Sequence, residues 1–130
     1  VFDRLLIEEL GPQRVTLAVR GFPVLNDAVM ADARAAGLHK IVKVIDNGSD
    51  APGTVLEETS RGFNAVFKNA DMVIAKGQGN FETLSESPRP VYFLFKAKCP
   101  IIAARADVKI GAQVLAISAM LKKVREQNIR

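Results

Sequence analysis

Short apolar runs rich in β-branched and aromatic residues alternate along this chain with amphipathic stretches, and that alternation restricts the fold more than any other feature. Apolar residues two apart read as strand, and those three or four apart as helix. The spacing predicts a helix over about 2–10 ended by Gly11-Pro12, a strand at 14–19, a helix at 28–36 ended by Gly37 and a strand at 41–45. A helix over 55–68, a strand at 71–75, a short helix over 80–86 and a strand at 91–95 follow. Ile101–Ala104 and Gln113–Ile117 are each expected to add a strand, and residues 118–127 a closing helix. Strands alternating with helices point to an α/β fold: a three-layer α/β/α, Rossmann-like sheet, mostly parallel, with helices on both faces. No repeat, low-complexity stretch or linker interrupts residues 1–130, which read as a single α/β domain.

The longest helix carries its own start signal. Pro52-Gly53 supplies a turn, and Thr54 with Glu57 fits a capping box, in which each side chain satisfies a first-turn backbone donor. Val55, Leu56, Phe63, Val66 and Phe67 then fall at helical spacing, with Thr59 the polar interruption and Gly62 a weak point.

Composition excludes several classes of function. A chain of 130 residues can bury a core without disulfides or a metal staple. The apolar runs Val91–Phe95 and Ile110–Leu121 are too short or too interrupted to span a bilayer, and nothing resembles a signal peptide, so no membrane partner is expected. The net charge of +4 is modest, and Lys122, Lys123, Arg125 and Arg130 read as the solvated face of the closing helix. A nucleic-acid surface would carry more charge and interleaved aromatics. Cys99 is the only cysteine, which rules out an internal disulfide and makes a reducing, cytoplasmic setting the simplest. It reads as a small buried hydrophobe rather than a nucleophile, because the sole histidine, His39, offers no evident partner base.

In a parallel α/β fold, ligands bind beyond the carboxyl ends of the strands. The exits here are Arg20–Asp27, Asp46–Thr54, Lys76–Asn80 and Lys96–Pro100, which parallel topology should bring to one rim. Lys76-Gly77-Gln78-Gly79-Asn80 follows a strand and opens a helix. Glycines admit an anion close to the backbone, first-turn N–H groups attract it, and Lys76 adds a full charge. An ordinary tight turn explains the same residues. The loop is neither a P-loop nor a dinucleotide fingerprint, since Glu82 stands where the third glycine would be. Asn26-Asp27 suits either a helix cap or a hard-cation ligand such as one for Mg²⁺ or Mn²⁺. Asp46, Asn47, Ser49 and Asp50 are further oxygen donors, or simply a turn.

Taken in order, Arg20-Gly21-Phe22-Pro23-Val24-Leu25-Asn26-Asp27-Ala28, Asp46-Asn47-Gly48-Ser49-Asp50-Ala51-Pro52-Gly53-Thr54 and Lys76-Gly77-Gln78-Gly79-Asn80-Phe81-Glu82 resemble the prokaryotic branch of the damage-control phosphatase family, domain of unknown function 89. The tract Val91–Pro100 is similar to that branch too, so the resemblance covers essentially the whole chain. It implies a metal-dependent phosphatase of small phosphate esters, with sugar phosphates or phosphopantetheine-type damaged metabolites as partners. The implied cofactor is a divalent metal: Mn, Co, Ni or Mg. The family's later metal-binding Asp maps onto Asp27 and its phosphate-binding Lys onto Lys76; these are the implied catalytic residues. Lys76, with the backbone of Gly77 through Gly79 and with Asn80, would hold the phosphate. Asn26, Asp46, Asn47 and Ser49 would stand toward the rest of the substrate.

Two departures accompany the resemblance. The family's Asp-Asn metal pair and the strand that carries it belong upstream of Val1-Phe2-Asp3. The chain is therefore expected to be the C-terminal part of a catalytic domain, with impaired activity and an open sheet edge that invites self-association. Val29 also stands where the family often has Thr. A non-catalytic α/β module that binds phosphometabolites or nucleotides explains the glycine loop equally well. A methyltransferase would want a glycine-rich turn after the first strand, which Arg20-Gly21-Phe22-Pro23 does not provide.

Overall fold

The computed structural model describes residues 2–118 and shows an α/β fold whose helices alternate with mostly parallel strands. Two compact units divide the chain: Val1–Pro52 with Leu56–Lys68, and Gly53–Val55 with Asn69–Arg130. Among the described residues no helix is long and apolar enough to cross a membrane.

In the first unit, α1 (Phe2–Leu10) leads through a 3-10 turn at Pro12–Arg14 into β1 (Thr16–Val19). The chain crosses over through α2 (Met30–Ala35) to β2 (Lys43–Asp46), which lies parallel to β1 with Val19 opposite Asp46. Ile7, Val19, Ala33, Val42, Phe63 and Phe67 form its buried apolar set. As expected, Gly37 stops the α2 segment: its φ of 71° is left-handed, and its N–H donates to the Arg34 carbonyl. The start differs from expectation. Neither Asn26 nor Asp27 caps α2; the Asp32 carboxylate does that work by accepting the Val29 N–H at 2.8 Å.

The helix expected over 55–68 is two pieces, a 3-10 turn at Leu56–Glu58 and α3 (Arg61–Asn69). Ser60 starts α3, its hydroxyl oxygen accepting the Phe63 N–H at 3.1 Å. The expected capping box fails because Thr54 turns its hydroxyl to Asn80 instead. Phe63 and Phe67, four apart, present one face, with their rings 6.0 Å apart.

The second unit opens with a βαβ sequence of β3 (Ile74–Lys76), α4 (Gln78–Leu84) and β4 (Tyr92–Lys96), the strands parallel with Lys76 opposite Leu94. Phe93 and Phe95, two apart on β4, share a face. Phe81 of α4 sits on both, edge-on to Phe93 at 5.3 Å and stacked on Phe95 at 4.6 Å, fully buried. Burying one such ring stabilises by about 1.5–3 kcal/mol, so α4 is held to the sheet close to where β3 ends.

Ile101–Ala104 is not a strand but lies within α5 (Pro100–Arg105). Pro100 occupies the first turn, where its missing N–H costs nothing, and Ile102, Ala103 and Ala106 bury one side while Ile101 is exposed. Cys99 is half-buried at the N-cap of α5, more exposed than expected. β5 (Gln113–Ile117) forms as expected, but runs antiparallel to β4. The left-handed residues Asp107 and Gly111 reverse the chain, and the Gly111 N–H meets the Ala97 carbonyl at 2.7 Å. The chain thus re-enters beside the end of β4 that it left and must run back along it. The described strands form two ladders, β1-β2 and β3-β4-β5. The closing helix expected over 118–127 lies, beyond Ser118, outside the described residues.

Candidate functional site

In each unit the exits of the two parallel strands come together. In the first, the segments leaving β1 and β2 are joined through Asn47, which is 2% exposed. Its side-chain oxygen accepts the Gly21 N–H at 2.9 Å and the Ser49 N–H at 3.1 Å. The Ser49 carbonyl accepts the N–H groups of Gly21 and Phe22. Gly21 lies against Gly48 so closely that a Cβ on it would stand 2.6 Å from the Gly48 Cα. The Asp46 carboxylate accepts the Gly48 N–H, and the Ser49 hydroxyl oxygen accepts the Ala51 N–H, each at 3.0 Å. Asp46, Asn47 and Ser49 therefore shape this loop with the oxygens that made them candidates.

Asp27 stands in the neighbouring loop, after a turn closed by its own N–H on the Val24 carbonyl and with Leu25 at a φ of 48°. Arg20, 8% exposed, donates from Nε to one Asp27 oxygen at 2.9 Å. A buried guanidinium requires such a partner, and the bond sets the orientation of a carboxylate that is itself 38% exposed. Asn26 beside it is exposed. Phe22, Gly48, Ser49, Asp50 and Glu58 line an open depression of about 520 Å³.

In the second unit, Lys76 is exposed at the end of β3, and Gly77, with a φ of 89°, turns the chain directly into α4. The helix begins two residues earlier than expected, so Lys76 and the first turn are adjacent. The Gly77 N–H donates to the Leu94 carbonyl at 2.9 Å. Asn80 donates from Nδ2 to the Lys76 carbonyl at 2.7 Å and accepts the Thr54 hydroxyl on Oδ1 at 2.8 Å. Gln78 bonds the segment leaving β4, accepting the Lys98 N–H at 2.9 Å. Lys96 and Lys98 are exposed on that segment, and Lys76 and Lys96 share the lining of a second open depression of about 340 Å³ with Leu94, Gln113 and Leu115. The strand exits of this unit thus concentrate positive charge, which suits an anion.

The family model of the damage-control phosphatase ARMT1-like domain matches residues 1–114. The chain belongs to the damage-control phosphatase family. It is 46% identical over 117 residues to a damage-control phosphatase of Pyrococcus horikoshii, a match that covers 87% of this chain and 41% of that protein. It is 43% identical over 121 residues to an uncharacterized protein of Methanocaldococcus jannaschii, covering 88% of this chain and 40% of that one. The crystal structure of a DUF89 family protein from Pyrococcus horikoshii superposes with a TM-score of 0.82 at 46% identity, over 88% of this chain and 41% of its own. The chain spans about two fifths of the length of these relatives.

The donor set does not by itself fit a resident divalent ion. Among the described residues no three His, Cys, Asp or Glu side chains converge. Asp27 is a single carboxylate with one oxygen already on Arg20, and a hard cation held by one carboxylate keeps most of its water. Arg20, Thr54 and Gln78 are the contributors that pattern reasoning did not single out. Arg20 has no sequence signal beyond standing in the same motif as Asp27, and Thr54 was masked by its resemblance to a helix cap.

Proposed function

We propose that the protein hydrolyses small phosphate monoesters, sugar phosphates or phosphopantetheine-type damaged metabolites, in a reaction that depends on a divalent metal such as Mn²⁺, Co²⁺, Ni²⁺ or Mg²⁺. The exposed Lys76 at the tight turn from β3 into α4, in a chain 46% identical to a damage-control phosphatase, carries this reading. Lys76 binds the phosphate with the Gly79 N–H of the first turn of α4, since the Gly77 N–H is taken by the Leu94 carbonyl. Phosphoryl transfer needs mainly positioning and charge stabilisation, so few side chains suffice. Asp27 would contribute one ligand to that metal. Asn26, and the exposed Asp46 carboxylate beyond its bond to the Gly48 N–H, would face the leaving group, while Asn47 and Ser49 give their loop its shape.

The test is phosphate release by the full-length protein, chelated and then supplied with each ion in turn. Lys76→Ala should lower kcat/KM by roughly 100- to 1000-fold, because a charge-assisted contact that strengthens in the transition state is lost. Asp27→Asn should weaken metal activation, read as a higher half-saturating ion concentration. Full turnover after chelation, or an unchanged kcat/KM in Lys76→Ala, would remove the proposal. Binding of a phosphate ester without release under every metal would instead make the protein a non-catalytic phosphometabolite module.

A further inference from the structure

Gly53 and Thr54 pack with the second unit, although they precede its strands in the chain by some twenty residues. Thr54 is 7% exposed and makes two ties to α4. Its N–H donates to the Thr83 hydroxyl at 2.8 Å, and that hydroxyl donates to the Gly79 carbonyl at 3.1 Å. Its own hydroxyl donates to Asn80 Oδ1 at 2.8 Å. Gly53, at a φ of 81°, approaches where a Cβ would collide with the Gly79 carbonyl oxygen.

The Asn80 amide stands between two fixed groups. Its nitrogen donates to the Lys76 carbonyl 2.7 Å away, which can only accept and so fixes which way the amide faces, and the Thr54 hydroxyl donates to the oxygen on its other side. Removing the Thr54 hydroxyl takes away the donor that holds the oxygen end of the amide in place. With the Gly77 N–H on the Leu94 carbonyl, the Asn80 bond fixes the peptide from which the Lys76 side chain departs.

We propose that Thr54 is a positioning residue. Acting through Asn80, it sets the Lys76–Asn80 loop, and the Asn80 side chain is a strut of that loop rather than a ligand of the phosphate. The inference rests on the reading that Lys76 binds the substrate phosphate.

The experiment uses the full-length protein, a sugar phosphate ester as substrate and inorganic phosphate as competing probe. Thr54→Val keeps the shape and deletes the donor; Thr54→Ser keeps the donor. Thr54→Val should lower kcat/KM about 10-fold or more and weaken inhibition by phosphate several-fold, with the melting midpoint little moved, while Thr54→Ser recovers most of both. Asn80→Ala should reproduce the loss, and the double variant should be no worse than Asn80→Ala alone, because both remove one linkage. Wild-type kinetics in Thr54→Val overturn the inference, as does Thr54→Ser performing no better than Thr54→Val, or losses that multiply in the double variant. If Thr54→Val does not fold, Asn80→Ala carries the test: wild-type phosphate inhibition there overturns the inference. Lys76→Ala separates the two levels. An unchanged kcat/KM in that variant overturns the phosphate reading and this inference together, whereas its loss beside an unaffected Thr54→Val overturns this inference alone.

Discussion

Replacing Gly21 by Ala should break the joint between the exits of β1 and β2. The added Cβ would lie 2.6 Å from the Gly48 Cα and 2.7 Å from both the Gly48 carbonyl carbon and the Ser49 nitrogen. All three are backbone atoms, so no side chain can swing aside, and ordinary contact requires the loops to separate by about 1 Å. That motion stretches the bonds from the Gly21 N–H to Asn47 Oδ1 (2.9 Å) and to the Ser49 carbonyl (3.1 Å), and from the Phe22 N–H to the same carbonyl (3.4 Å). Two N–H groups, the Gly21 one shared between two acceptors, lose about 1–1.5 kcal/mol each, and about 1 kcal/mol of residual crowding brings the cost to about 3–4 kcal/mol. The stiffer unfolded chain returns about 0.5–1 kcal/mol, leaving a net loss of about 3 kcal/mol. With a urea slope of about 1.5 kcal/mol/M, the unfolding midpoint should fall by about 2 M. Gly62→Ala is the internal control. A Cβ there meets only the Ser60 hydroxyl oxygen, at 3.9 Å, and sits in α3, so it should stabilise by about 0.5–1 kcal/mol. A loss below about 1 kcal/mol in Gly21→Ala, or shifts of the same sign in both variants, would refute the close-approach argument.

Phe81→Ala empties the contact with Phe93 and Phe95 and should destabilise by about 3–5 kcal/mol, measured by urea unfolding; a loss under about 1 kcal/mol would mean that α4 is not anchored by this ring. Cys99→Ser places a preferred N-cap residue before Pro100 and should leave the melting temperature unchanged or raise stability by up to about 1 kcal/mol, with phosphate release intact; a loss of turnover would give the thiol a chemical role.

The elements legible in the sequence are those whose signal is local. Gly37 ends the α2 segment where its left-handed conformation requires, and the apolar run ending in Phe93 and Phe95 forms a strand within one residue of expectation. Local signals misled where a distant group competed. Thr54 and Glu57 carry a cap pattern, but a hydrogen bond to Asn80, 26 positions away, takes the hydroxyl, and Ser60 starts the helix instead. Ile101–Ala104 is apolar enough for either state, and Pro100 decides for helix because a first turn tolerates its missing N–H. The direction of β5 had no periodic signature at all; it follows from the conformations of Asp107 and Gly111.

At the site, motif order identified the family, but it could not distribute roles among the polar residues of the loops that leave the strands. Asn47 and Asp27 look alike in sequence: each is an oxygen donor just after a strand. The structure makes them opposites, since Asn47 is 2% exposed with its oxygen on two backbone N–H groups, whereas Asp27 keeps an accessible carboxylate aimed by a buried arginine. The difference lies in what each oxygen meets across the fold, at Gly21 in one case and Arg20 in the other. A residue's type and its place on the rim therefore nominate it for chemistry. Its hydrogen-bond partners decide whether it holds the loop or stays accessible, and by the same test Asn80, bonded to the Lys76 carbonyl and the Thr54 hydroxyl, belongs to the frame of its loop.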